Sequence, residues 1–77
     1  MKNVGVDCQF QADGRVTVQR IQLDNQWRTV EQGRQWVDHE GRHILVMLPG
    51  QPVQELVLGK EMMTWSLRPQ GKKVYLA

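Results

Sequence analysis

Much of what small proteins use for stapling or catalysis is scarce in this chain. It has a single cysteine, Cys8, so no disulfide can form within it. Cys8 lies in the apolar opening segment VGVDCQF with no cation beside it, and such a thiol reads as a small half-buried hydrophobe, not a nucleophile. Ser66 is the only serine, and nothing in the sequence suggests a base for it. The Gly59-Lys60 pair is no phosphate-binding loop: eight residues separate Gly50 from Gly59 where four are needed, and Glu61 stands where a Ser or Thr would hold magnesium. Long hydrophobic runs are missing too. The longest, Ile44 to Leu48, is five residues, against about 20 for a membrane-spanning helix. Met1-Lys2-Asn3 leads into no apolar stretch of the signal-peptide kind. The expectation is a cytoplasmic chain with no membrane association. Ten basic against eight acidic residues leave a formal charge of +2, which tilts the chain toward acidic partners only slightly.

What is present suits one small β domain over residues 1–77. A chain of 77 residues buries only ~60% of its unfolded surface, so large side chains must carry its core. Trp27, Trp36, Trp65 and four methionines are available for that. Turn signals recur at Asp13-Gly14, Asp24-Asn25, Gln32-Gly33, His39-Glu40-Gly41, Pro49-Gly50, Gly59-Lys60 and Gln70-Gly71. Between them lie short runs rich in Val, Ile, Leu, Thr and Trp, the pattern of an antiparallel meander. No window keeps a helical period for twelve residues without glycine or proline. The spacing predicts strands over 4–10, 15–23, 27–31, 34–38, 42–48, 53–58, 62–68 and 72–76. In the second, Val16 and Val18 fall in one phase and Ile21 and Leu23 in the other, which predicts a bulge or a sharp bend near Arg20. Ile44 to Leu48 is apolar on both faces and predicts the most buried strand. Met63, Trp65 and Leu67 alternate with polar residues, as in a half-buried strand. A strongly bent small sheet closing into an SH3-like or OB-like barrel is the expected architecture, with an open, dimerising meander as the alternative.

One stretch matches a catalytic pattern letter for letter. His39-Glu40-Gly41-Arg42-His43 has the H-E-x-x-H spacing of zinc proteases, in which a helix sets both histidines on one face. Gly41 weakens a helix, and the stretch reads instead as a hairpin connection. His39 and Glu40 form the turn, Gly41 is left-handed, and Asp38 pairs with Arg42, Val37 with His43 and Trp36 with Ile44. The imidazoles then need not converge, and a third ligand would have to come from Asp38, Glu55, Glu61 or Cys8 with no spacing to favour any. The expectation is no metal, no cofactor and no catalysis.

The richest surface signal is Gln26 to Trp36, QWRTVEQGRQW. A two-residue turn at Gln32-Gly33 would set Glu31 opposite Arg34 and make Trp27 a diagonal neighbour of Trp36. Trp27 and Trp36 flanked by Arg28, Arg34 and Arg42 would form a stacking platform for single-stranded nucleic acid. The competing reading puts both tryptophans in the core, where indoles are mostly found. Five of the seven glycines also precede a basic residue. In a meander, the turns at 14, 33 and 71 would gather Arg15, Arg34, Lys72 and Lys73 at one rim, either as an electrostatic footprint or merely as solvated sheet ends.

Trp36, Gly41-Arg42, Glu55-Leu56 and Trp65 together form a skeleton. Over about residues 16 to 68 it resembles a small bacterial β domain found alone or at the tail of inactive Y-family-polymerase-like proteins of mutasome operons. That family usually follows the arginine with aromatics, where this chain has His43 and Ile44. The resemblance implies an interaction module associated with DNA repair and carries over no catalytic residue. The expected function is a non-catalytic binding module for single-stranded nucleic acid. The alternative is a protein-interaction or homodimerising module.

Overall fold

The computed structural model describes residues 2–69. All regular structure in that span is β: β1 (Lys2–Asn3), β2 (Gly5–Phe10), β3 (Val16–Leu23), β4 (Gln26–Thr29), β5 (Glu31–Asp38), β6 (Gly41–Met47), β7 (Gln54–Gly59) and β8 (Trp65–Pro69). They form two antiparallel sheets, one of five strands in the order β1-β8-β7-β6-β5 and one of three in the order β2-β3-β4. Two segments pass from one sheet to the other, β1 into β2 at Val4 and β4 into β5 at Val30. Both crossings keep a backbone bond: the Val4 N–H donates to Trp65 O at 3.0 Å and the Val30 N–H to Gln19 O at 3.1 Å. The expected strand at 72–76 lies outside the described residues.

Several turns follow the local chemistry. Asp24 and Asn25 both take positive φ, at 50° and 64°, and join Leu23 to Gln26, as a type I′ hairpin requires. The bulge expected near Arg20 is present: Asp7 pairs with Arg20 but Cys8 with Val18. The residue skipped, Gln19, restores the phase, so Val16, Val18 and Ile21 all point inward and are buried.

The expected turn at Gln32-Gly33 does not form. These residues lie inside β5, and the strand carries an irregularity between Gln32 and Gln35 instead. Gln32 pairs with Val46 and Gln35 with Ile44, three residues against two, so both glutamines point toward the core side. There they meet the stretch of β3 that β4 is too short to cover. The Val16 and Val18 N–H groups donate to Gln35 Oε1 (3.1 Å) and Gln32 Oε1 (2.7 Å). Both amide nitrogens donate back to Val16 O, at 2.9 and 2.8 Å. Arg42 completes the seam, donating from Nη1 to Gln35 Oε1 (2.7 Å) and from Nη2 to Gly14 O (2.6 Å). Side-chain amides thus do on this side what a backbone ladder does elsewhere.

The core joins Val16, Val18 and Ile21 of β3 to Val30, Ile44, Val46, Leu48, Leu56 and Leu67, with Val4, Val6, Cys8, Leu23 and Trp65 packed against them. Most of Ile44 to Leu48 is buried, but Met47 is exposed and Leu45 half-buried. The most continuously buried run is Glu55 to Leu58 of β7, because β7 is the middle strand of the larger sheet. The last described strand begins at Trp65, not 62; Met62 and Met63 stand exposed in the preceding turn, where Met63 has φ 56°. Among the described residues no helix is long and apolar enough to cross a membrane.

Candidate functional site

The two sheets expose two different outer faces. On the three-stranded sheet, alternation puts Arg20, Gln22 and Trp27 outward while Ile21 packs inward. Trp27 pairs with Gln22, which pairs with Gly5. A Cβ at Gly5 would come within 3.3 Å of the far edge of the Trp27 ring, so the indole lies across the sheet over the bare backbone of β2. The Arg20 guanidinium sits 5.5 Å from the ring centroid, within cation–π range, and is held there by an ion pair to Asp7 at 2.8 Å. Trp27 is 47% exposed, so this tryptophan is a surface residue and not the core residue of the competing reading.

The other expected platform residues scatter. Trp36 belongs to the larger sheet and is no neighbour of Trp27. Its ring stacks on His43 with centroids 5.1 Å apart and planes 3° apart, and the Arg34 guanidinium lies 5.2 Å from its centroid. Arg28 follows Trp27 directly on β4 and shares the Ile21 side of the sheet, away from the indole. Arg42 is engaged in the seam. Arg15 is exposed at the β2–β3 turn, and the Val16–Gln35 bond brings it to the same end as Arg34. The turn at Gln32-Gly33 that would have carried Arg34 to a rim is absent, and Arg34 instead lies over Trp36, while Lys72 and Lys73 lie outside the described residues. Arg20 was not anticipated; its placement follows from the Gln19 bulge, which rephases it to the outer face.

On the five-stranded sheet the outer face carries a buried polar cluster. Residues 35 to 48 are strand, turn and strand, so His39 and His43 are not stacked on a helix. The pairing differs from expectation by one residue: Asp38 faces Gly41, Val37 faces Arg42 and Trp36 faces His43. The loop is the two residues His39-Glu40, and the Glu40 N–H donates to Asp38 Oδ1 at 2.9 Å. Gly41, at φ 140°, sits against β7 where any Cβ would collide with the Leu58 carbonyl. That approach leaves His39 exposed and turns His43, only 2% exposed, onto the outer face beneath Trp36.

His43 is gripped at both ring nitrogens. Its Nδ1 hydrogen-bonds Glu55 Oε2. Its Nε2 lies 2.8 Å from Asp38 Oδ1 and 3.6 Å from Glu40 Oε1. Arg68 approaches Glu55 at 3.5 Å and Glu40 at 3.7 Å. A carboxylate at each nitrogen favours the ring form in which both nitrogens carry protons, the imidazolium. Burial alone would lower its pKa, but the hydrogen bonds and charges of Asp38 and Glu55 outweigh that and raise it above the usual histidine value. The same bond from His43, helped by the Glu40 N–H, lowers the Asp38 carboxyl below its usual range. Beside this cluster lies a surface hollow of about 560 Å³ that Glu40, His39, Lys60, Thr64 and Arg68 help to line. The sequence signal for the cluster was Glu55, a carboxylate beside the apolar run Leu56 to Leu58, which must find a partner when buried.

Cys8 is half-buried; burial, then the Asp7 charge, push its thiol pKa up, the opposite of what a nucleophile needs. No protein-family model, curated protein or solved structure matches the chain.

Proposed function

We propose that the chain is a non-catalytic cytoplasmic binding module that contacts single-stranded nucleic acid through the outer face of its three-stranded sheet. The observation that carries this reading is the half-exposed Trp27 ring, which reaches across to Gly5 with the Arg20 guanidinium within cation–π range. A base can stack on such an indole whatever its identity, while arginines meet the phosphates on either side. Arg15, exposed at the β2–β3 turn, adds positive charge near this sheet, whereas Trp36, already engaged by His43 and Arg34 on the other sheet, contributes little. The two segments that bend from sheet to sheet, with bonds kept at Val4 and Val30, support reading the whole as a small barrel of the kind such modules use. A role beside DNA-repair proteins, implied by the mutasome-associated resemblance, is compatible with this.

The test is quenching of tryptophan fluorescence by a single-stranded oligonucleotide at low salt. Binding should weaken steeply as salt rises and should be lost in Trp27→Ala but retained in Trp36→Phe. Absence of any response at low salt would sink the proposal.

A second reading has its own observation. β4 is an edge strand, exposed along its whole length, and exposed edges invite pairing with another chain. A dimer whose formation depends on concentration, abolished by Thr29→Pro at an N–H that faces away from β3, would favour self-assembly over nucleic acid.

A further inference from the structure

We propose that Asp38, Glu40 and His43 form a mononuclear site for a divalent first-row transition ion, with Zn2+ the foremost candidate. One atom from each of the three residues lies within 4.8 Å of the others. Zinc bonds to nitrogen and oxygen ligands at about 2.0–2.2 Å, which sets neighbouring ligand atoms about 3.3 Å apart in a tetrahedron. The separations of 2.8 and 3.6 Å from His43 Nε2 to the two carboxylates bracket that value.

What distinguishes this group from an ordinary patch of surface acids is the imidazole. His43 is buried, and the stacked Trp36 ring prevents it from swinging out. Its far nitrogen is tied to Glu55, itself 8% exposed, which leaves Nε2 as the atom presented to Asp38 and Glu40. A carboxylate behind a ligating histidine fixes the ring's tautomer and raises its basicity, the arrangement common to zinc-bound imidazoles. Asp38 is held in turn by the Glu40 N–H. With His43 neutral, Asp38, Glu40 and Glu55 bring three carboxylates around the ring, with Arg68 near two of them, and a divalent ion bound there offsets their negative charge. The ion replaces the proton on Nε2, so binding releases that proton to solvent. Three protein ligands leave at least one coordination position for water or a small anionic group, on the side where Glu40 borders the hollow.

The site reuses two letters of the zinc-protease pattern by another geometry. Glu40 serves as a ligand instead of a base, Asp38 replaces the first histidine, and a tight turn at Gly41 takes the place of the helix. The reading is independent of any nucleic-acid contact, since Trp27 lies on the other sheet.

The experiment is a Zn2+ titration of the full chain followed by calorimetry and by NMR of the histidine ring nitrogens. One equivalent should bind, with the His43 Nε2 signal changing from protonated to metal-bound. Glu40→Gln and Asp38→Asn should each weaken binding at least ~10-fold, and His39→Gln should leave it unchanged. Glu40 is exposed, so its variant tests the site even if Asp38→Asn proves unstable. No binding at millimolar Zn2+, binding that survives Glu40→Gln, or binding lost with His39→Gln would each overturn the proposal.

Discussion

The outer faces of the two sheets solve opposite problems with the same kind of side chain. On the smaller sheet an aromatic, Trp27, lies open over a glycine with a cation beside it. On the larger sheet an aromatic, Trp36, closes over a histidine ringed by carboxylates. The first face is available to a ligand and adds little to stability. On the second the aromatic itself is committed to the fold and covers the imidazole, leaving only the Asp38–Glu40 edge open, because a buried charge that loses its partner costs far more than an exposed one. An indole on a strand is thus no guide to function until the residue under it is known. Gly5 leaves room for the far edge of an exposed ring; His43 demands a lid.

The comparison can be broken most severely at Gly41. Gly41→Ala forces a strained φ and a collision with the Leu58 carbonyl, and should cost about 3 kcal/mol or more, read as a drop in the urea midpoint. It should dismantle the His43 face while the β3–β4 amides keep more of their exchange protection.

Glu55→Ala comes next. It removes the buried carboxylate from His43 Nδ1 and should destabilise by about 3 kcal/mol at neutral pH, measured by chemical denaturation. The pH dependence sharpens this, in buffer containing a chelator. The raised pKa of His43 means the folded state holds its proton more tightly than the unfolded one. Its stabilisation is therefore full below the unfolded value of ~6.5 and lost as pH rises through the higher folded value. The lowered pKa of Asp38 acts at the other end: its share is present above the unfolded value of ~3.9 and lost as pH falls through the folded one. A denaturation midpoint that does not fall between pH 6 and 9 in the wild type would contradict the imidazolium assignment.

Gln35→Ala opens the seam between the faces. It leaves Val16 with an unpaired N–H and Arg42 with one bond fewer, and should cost about 1–2 kcal/mol, with faster amide exchange at Val16. The smallest stability effect belongs to Trp27→Ala, about 0.5 kcal/mol, although it should remove all oligonucleotide-induced quenching. A large loss of stability there would mean that the open face is structural too.

Much of this was legible locally. The turns at Asp13-Gly14, Asp24-Asn25 and Pro49-Gly50 and the phase slip near Arg20 depend on residues a few positions apart, and they stand where the pattern put them. Gln32-Gly33 misled because the same two residues suit a bulge as well as a turn, and the choice rests on β3, some fifteen residues away. The hairpin at Gly41 slipped by one residue for a similar reason: its register is set by the close approach to Leu58 on β7. That slip moved Trp36 from Ile44 to His43 and created the stack.

By itself, then, the sequence determined an all-β chain of short strands, because alternation and turn chemistry act over a handful of residues. It also determined that no disulfide could form within the chain, from the count of cysteines alone. Only the tertiary structure decided which tryptophan is open and which arginines are spent in seams. It also brought Asp38, Glu40 and His43 together around Glu55. Such outcomes depend on which residue lies across a neighbouring strand, and a one-residue change of register exchanges every partner along it.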